Sequence, residues 1–225
     1  MPTRLFTYLS ADGISRAVSV CSPGAAALLV EKHYDELVPL WSSAAPRSRY
    51  WLEDFVGPLL TTYWPGKEGL AAFEVTNAAQ QAGKRVQWNH TPVNDLQVKQ
   101  GLQLLECDTD QIFDDRWREA LQRGSLEGRV LHSPENYPGI DYLLEFNHGI
   151  SVTTSLKHDI AKVFRQKLED MFKVGSSFTL TFLITGEPTQ FKPDRDDFKA
   201  LMDIKVFDNV CVQVVQIPKT LNSLS

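Results

Sequence analysis

The stretch that decides the fold is residues 140–154, Ile140-Asp141-Tyr142-Leu143-Leu144-Glu145-Phe146-Asn147-His148-Gly149-Ile150-Ser151-Val152-Thr153-Thr154, together with the run Phe178-Thr179-Leu180-Thr181-Phe182-Leu183-Ile184 that follows it. Ile140 to Phe146 and Ile150 to Thr154 are rich in apolar and β-branched residues, and Asn147-His148-Gly149 between them supplies turn chemistry. The spacing predicts a hairpin. From about Leu156 to Val174, Ile160, Phe164, Leu168, Met171 and Phe172 recur at helical spacing. Phe178 to Ile184 is a continuous apolar and β-branched run, the pattern of a strand covered on both faces. A helix placed between two strands is a crossover, which makes the last strand parallel to an earlier one. The expected class is α/β, a mixed sheet flanked by helices.

Outward from this stretch the pattern continues. Gln111 to Arg123 predicts a helix, opened by Asp108-Thr109-Asp110 with acids at the positive end of its dipole and closed by Gly124. Gly128 to His132 reads as a short strand. Downstream, polar Glu187 to Asp197 leads to a last β region, Ile204 to Ile217, broken by Asp208-Asn209. Toward the N-terminus, Leu5 to Leu9 and Ser15 to Val20 flank an Asp12-Gly13 turn, a hairpin signal. Ser22-Pro23 opens a helix that carries Ala27, Leu28, Val30, Tyr34, Leu37 and Val38. Ser48 to Tyr63 predicts another helix, bent or split at Gly57-Pro58. Leu70 to Val75 and Arg85 to Trp88 read as strands, and turn-rich Asn89 to Lys99 is the best boundary between an aromatic-rich part, 1–98, and a second part, 99–225. Trp41, Trp51, Trp64 and Trp88, with Tyr50 and Tyr63, read first as core; the same rings can stack bases or hold cations.

The 225 residues are 43% hydrophobic and 23% charged, which excludes collagen-like, disulfide-scaffold and wholly disordered classes. The net charge of −5 falls entirely in residues 101–225, so the chain is no bulk polycation. No apolar run is long enough to span a bilayer, and the first ten residues lack a signal-peptide pattern. Cys21, Cys107 and Cys211 are odd in number and lack metal-ligand spacing, so a reducing, intracellular setting is expected. No phosphate-binding GxxxxGK[ST], GxSxG elbow, HExxH or paired-cysteine zinc pattern occurs. His148 and His158 stand ten residues apart, which is not ligand spacing on one element.

The order helix, strand, strand, strand, helix, strand over about residues 108–185 resembles the core of the PD-(D/E)XK nuclease superfamily, which would place a restriction-endonuclease-like core in the C-terminal half. Phe113-Asp114 with Leu121 and Gly124, then Tyr137-Pro138-Gly139-Ile140-Asp141, then Ser151-Val152-Thr153-Thr154-Ser155-Leu156-Lys157-His158, is similar to the nuclease-like domain of Crinkler effectors and of retrotransposon hot spot proteins. The resemblance implies Asp114 as the helix acid and Asp141 as the strand aspartate, with Ser151 in the place of a glutamine and Thr153, Ser155 and His158 matching as they stand. It implies Mg²⁺ on Asp114 and Asp141, carboxylates that hold the ion while waters complete its shell, and a metal-activated water at a phosphodiester. Lys157 would join the two aspartates in catalysis. Lys157, His158, Lys162 and Arg165 would form a phosphate-facing edge. The chain departs from the family pattern in three ways: Asp114 is shorter than glutamate, Ser151 is no carboxylate, and no acid-x-lysine occurs on the third strand. Two functions follow. One is a metal-dependent nuclease acting on nucleic acid, in the cytoplasm or nucleus, including the nucleus of a host cell. The other is a catalytically silent effector or scaffold that binds a protein partner through its aromatic-rich N-terminal half. Neither needs a membrane or an organic cofactor.

Overall fold

The computed structural model describes residues 6–10, 16–20, 28–36, 55–65, 69–77 and 87–218. The elements begin with the hairpin β1 (Phe6–Ser10) and β2 (Arg16–Val20), paired antiparallel as the Asp12-Gly13 signal predicts. Helix α1 covers 28–36, and helix α2 covers 55–63. Strands β3 (Ala72–Asn77), β4 (Trp88–Pro92) and β5 (Gln103–Glu106) precede helix α3 (Asp110–Arg123). Then come β6 (Arg129–His132), β7 (Tyr142–Glu145), β8 (His148–Thr153), β9 (Lys157–His158) and helix α4 (Lys162–Met171). Strand β10 (Ser176–Ile184), a 3₁₀ turn Pro188–Gln190, β11 (Lys192–Pro193), helix α5 (Arg195–Met202) and β12 (Phe207–Gln216) complete the order.

Eight strands form one mixed sheet in the order β4-β3-β12-β10-β8-β7-β6-β5. Its centre is parallel: β10 pairs in parallel with both β8 and β12. Helix α4 is the crossover from β8 to β10, as the apolar spacing predicts. β6, β7 and β8 form an antiparallel meander, and β3 and β4 extend the sheet antiparallel on the other side of β12. The stretch Asn89 to Lys99 holds most of β4 and bridges Leu96 to Leu70.

Both faces of the sheet are covered. On one, Phe113 and Trp117 of α3, Phe164 and Leu168 of α4, and Phe198 and Leu201 of α5 pack on Leu180, Phe182, Val212 and Val214. On the other, Val30 and Tyr34 of α1 and Phe55, Val56, Leu59 and Leu60 of α2 pack on Tyr142, Ile150, Val152, Leu183 and Val215. Burial on both sides is why 178–184 reads as an unbroken apolar run rather than an alternating one. Phe164 and Phe182 are fully buried in one cluster, as the helix-over-strand layering requires. Each such phenylalanine contributes about 1.5–3 kcal/mol by leaving water. Of the aromatic residues read as core, Trp64 is buried, whereas Tyr63 and Trp88 are half-buried, Trp88 meeting Phe198 edge-on at 5.0 Å. Tyr50, Trp41, Trp51 and Cys21 lie outside the described residues.

Several boundaries differ from the sequence expectation. The hairpin turns at Phe146-Asn147, so His148 is already in β8. The helix expected from Leu156 begins only at Lys162. The Ser155 hydroxyl donates to the Lys157 carbonyl at 2.5 Å and accepts from the Lys157 amide, a local turn that competes with helix. Lys157 and His158 then pair in parallel with Lys192 and Pro193. Lys157 and His158 therefore lie on β9, not on the helix with Lys162 and Arg165. Helix α5 lies where a polar linker was expected, capped by Asp194, whose carboxylate accepts from the Asp196 and Asp197 amides. Strand β5 carries no strong periodicity, and the sequence pattern does not predict it. At Gly57-Pro58 the α-helical turns give way to a π-helical one over Leu59–Tyr63, consistent with the amide that Pro58 lacks. Gly57 also permits close approach, since a Cβ there would lie 2.7 Å from Leu104 Cδ2.

Candidate functional site

Helix α3 is fixed at both ends. The Thr109 hydroxyl accepts from the Ile112 amide at 3.3 Å, and Gly124 closes it in the left-handed region at φ 65°. With Phe113, Trp117 and Ala120 in the core, Asp114 lands on the flank beside the β6–β7 connection and α4. There it is fully engaged. Its Oδ1 accepts the Tyr137 hydroxyl at 2.5 Å, and its Oδ2 accepts Lys167 Nζ at 2.6 Å. Lys167 Nζ also lies 4.6 Å from the Tyr137 ring centroid, a cation–π distance. The side chains of Lys167 and Asp114 are 20% and 14% exposed, so the pair is only weakly screened. Burial, and then the hydrogen bond to the Asp114 carboxylate, push the Tyr137 phenol far above its usual range.

Asp141 stands at the start of the central hairpin. Its amide donates to the Ile150 carbonyl at 2.8 Å, and its carbonyl accepts from Ser133 at 2.9 Å. Its carboxylate Oδ2 accepts the Val152 amide at 2.5 Å, pinning β7's entry to β8. Tyr142 is in register with Ile150, so alternation puts Asp141 and Ser151 together on the face that α3 and α4 cover, with Thr153 two residues on. All three are buried. The end of β8 thus offers two hydroxyls beside one carboxylate, and Thr153 Oγ1 already accepts the Ser155 amide at 3.0 Å.

As a cation site this donor set is poor: Asp114 already accepts an ammonium and a phenol, and Ser151 and Thr153 add no charge beside it. Among the described residues, no group of three or more His, Cys, Asp or Glu side chains gathers as a metal site. What the arrangement does chemically is neutralise Asp114 internally with Lys167. Sequence reasoning misses Lys167 and gives Tyr137 no role of its own. Tyr137 stood next to the Pro138-Gly139 turn, while Lys167 carried no local signal, since its partner lies 53 positions away.

The four basic-edge residues part company. Arg165 Nη1 donates to Asp197 Oδ1 at 2.5 Å and to the Ile160 carbonyl at 2.6 Å, tying α4 to α5. His158 sets its ring edge-on to Phe182, 5.1 Å between centroids. Lys157 and Lys162 are exposed. Lys157 lines a cleft of about 520 Å³ with Trp88, Lys192, Pro193, Asp194 and Arg195. The cleft sits on the loops that leave the carboxyl ends of parallel strands β8 and β10, where open α/β sheets usually bind ligands. Three of its side chains are cationic, Asp194 is spent on capping α5, and an aromatic ring forms one wall.

On the opposite face a polar chain crosses the sheet. Gln213 Nε2 donates to Thr181 Oγ1 at 2.7 Å, and Thr181 Oγ1 lies 2.7 Å from His148 Nε2. Burial pulls His148 down to about 4, so its ring is neutral near pH 7. No helix among the described residues is long and apolar enough to cross a membrane.

No protein-family model, curated protein or solved structure matches the chain.

Proposed function

We propose that this chain is a nuclease-like module of the Crinkler type, built on a PD-(D/E)XK-like core, that contacts nucleic acid without cutting it. The order α3-β6-β7-β8-α4-β10, with an antiparallel meander and a crossover to a parallel strand, supports the core assignment. The observation that carries the functional reading is the closure of Asp114, the acid that the resemblance expects to hold the metal, by Lys167 and Tyr137, with a buried Ser151 where the resemblance expects a glutamine. An acid held this way stabilises the packing of α3 on α4 and is a poor ligand for a cation.

Contact with nucleic acid falls to the cleft of Trp88, Lys157 and Lys192, extended by Lys162. Ammonium groups there meet phosphates, and the indole offers an edge or face to a base. The test is fluorescence anisotropy with end-labelled single- and double-stranded DNA and RNA at low salt, in chelator. Saturable binding that weakens as salt rises is expected. No binding at low salt would sink the reading and move the function to a protein partner.

A further inference from the structure

A second cavity, of about 480 Å³, opens between α3 and the strands β5 and β6 at the far end of the sheet order. Three guanidinium groups line it, those of Arg116, Arg123 and Arg129, together with the carboxylates of Glu119 and Glu127. They differ in how they are held. Arg123 bonds Glu127 Oε1 at 3.0 Å and Glu119 Oε1 at 3.2 Å, so its charge is spent locally. The Arg116 guanidinium meets the Cys107 side chain, but its Nη1 is buried without a hydrogen-bond partner among the described residues. Arg129 is exposed and makes no ion pair among them. A buried guanidinium N–H left unbonded is unfavourable by the full loss of its hydration, so the folded chain keeps an unmet demand for an acceptor at this spot. Nearby, Leu105, Leu126 and Leu131 give the same cavity an apolar wall.

A planar fork of donors suits phosphate or carboxylate oxygens, and two such forks on one cavity suit a group with several oxygens. The volume lies within the usual range for small-molecule sites, and an apolar wall beside a few placed cations is the usual makeup of one. We propose that this cavity binds a small organic phosphate of nucleotide size, with the phosphoryl group on Arg116 and Arg129 and the apolar body over Leu105, Leu126 and Leu131. The site is independent of the nucleic-acid reading: it uses the flank of α3 that carries Arg116 and Arg123, whereas Asp114 turns to Tyr137 and Lys167.

Isothermal titration of the full chain with adenosine 5′-monophosphate, adenosine and inorganic phosphate tests it. The monophosphate is expected to bind saturably and adenosine about tenfold or more weaker, since the charged hydrogen bonds carry the affinity. Arg116→Gln and Arg129→Gln are each expected to weaken the monophosphate about tenfold, while Asp141→Asn leaves it unchanged. Arg129 lies exposed on β6, so its variant reports on the site even where Arg116→Gln unfolds the chain. Equal binding of adenosine and its monophosphate, no binding of the monophosphate, or affinity untouched by Arg129→Gln would each overturn the proposal.

Discussion

Gly139 and Phe164 form the sharpest lever on this fold. Gly139 sits in the turn before Asp141 with φ at +94°, where side chains with a Cβ are strained. A Cβ added there would lie 2.2 Å from Phe164 Cγ and 2.5 Å from its Cδ1, distances that force the ring or the turn to move. Phe164 has nowhere to go, being fully buried between Trp117 and Phe178 at centroid distances of 6.5 and 6.2 Å. Backbone strain of about 1–3 kcal/mol and overpacking of about 1–3 kcal/mol make Gly139→Ala destabilising by about 2–6 kcal/mol. Phe164→Ala alone opens a cavity and is expected to destabilise by about 3–5 kcal/mol. In the double variant the ring that the new methyl strikes is gone, so only backbone strain is added to the cavity. The two changes should therefore sum to less than their parts by about 1–3 kcal/mol. Urea unfolding followed by circular dichroism, with slopes compared to confirm two-state behaviour, reads all four proteins. A Gly139→Ala loss within about 0.5 kcal/mol, or strict additivity, would refute the packing of this turn on α4.

Three further outcomes follow from the same contacts. His148, held near 4 in the fold against 6.5 when unfolded, binds fewer protons folded than unfolded between those values; stability should fall as pH drops through that window, by at most about 3 kcal/mol, and His148→Gln should flatten the dependence in pH-resolved urea titrations. With three phosphate contacts from Lys157, Lys162 and Lys192, binding to double-stranded DNA should show a log-log salt slope of about −2.7. Lys192→Gln should flatten it by about one unit, while Arg165→Gln should lower the melting temperature and leave the slope alone. Asp141→Ala removes the acceptor of the Val152 amide and should destabilise by about 1–3 kcal/mol in urea, with a loss near zero contradicting the geometry described for β7 and β8.

What the sequence disclosed, and what it withheld, follows the range of the interactions. The strands of the central hairpin and the buried run 178–184 are legible because their apolar pattern is set by burial within each segment. Helix α3 is legible because its caps, Thr109 and Gly124, are local. The local sequence of β9 reads as helix because its state is decided by Lys192 and Pro193, more than thirty residues downstream, together with the Ser155 turn. Helix α5 hid in an acidic stretch because its eight residues bury only Phe198 and Leu201, too little for a clear period. At the site, Asp114 and Asp141 could be singled out as acids, but their partners could not. Lys167 and Asp197 reveal themselves only in three dimensions, where one neutralises Asp114 and the other takes Arg165 out of the basic edge. The cleft with Trp88 needed β4 to be placed beside the 3₁₀ turn and β11, a pairing no local signal contains.

The central claim, a nuclease-like core that does not cut, is met most directly by a cleavage assay. Purified chain is incubated with supercoiled DNA and with RNA, in Mg²⁺, in Mn²⁺ and in chelator, beside Asp141→Asn. No metal-dependent cleavage is predicted for either protein, under conditions where the same preparation binds nucleic acid. Cleavage that requires Mg²⁺ or Mn²⁺ and is abolished by Asp141→Asn would contradict the account and make Asp141 a catalytic residue.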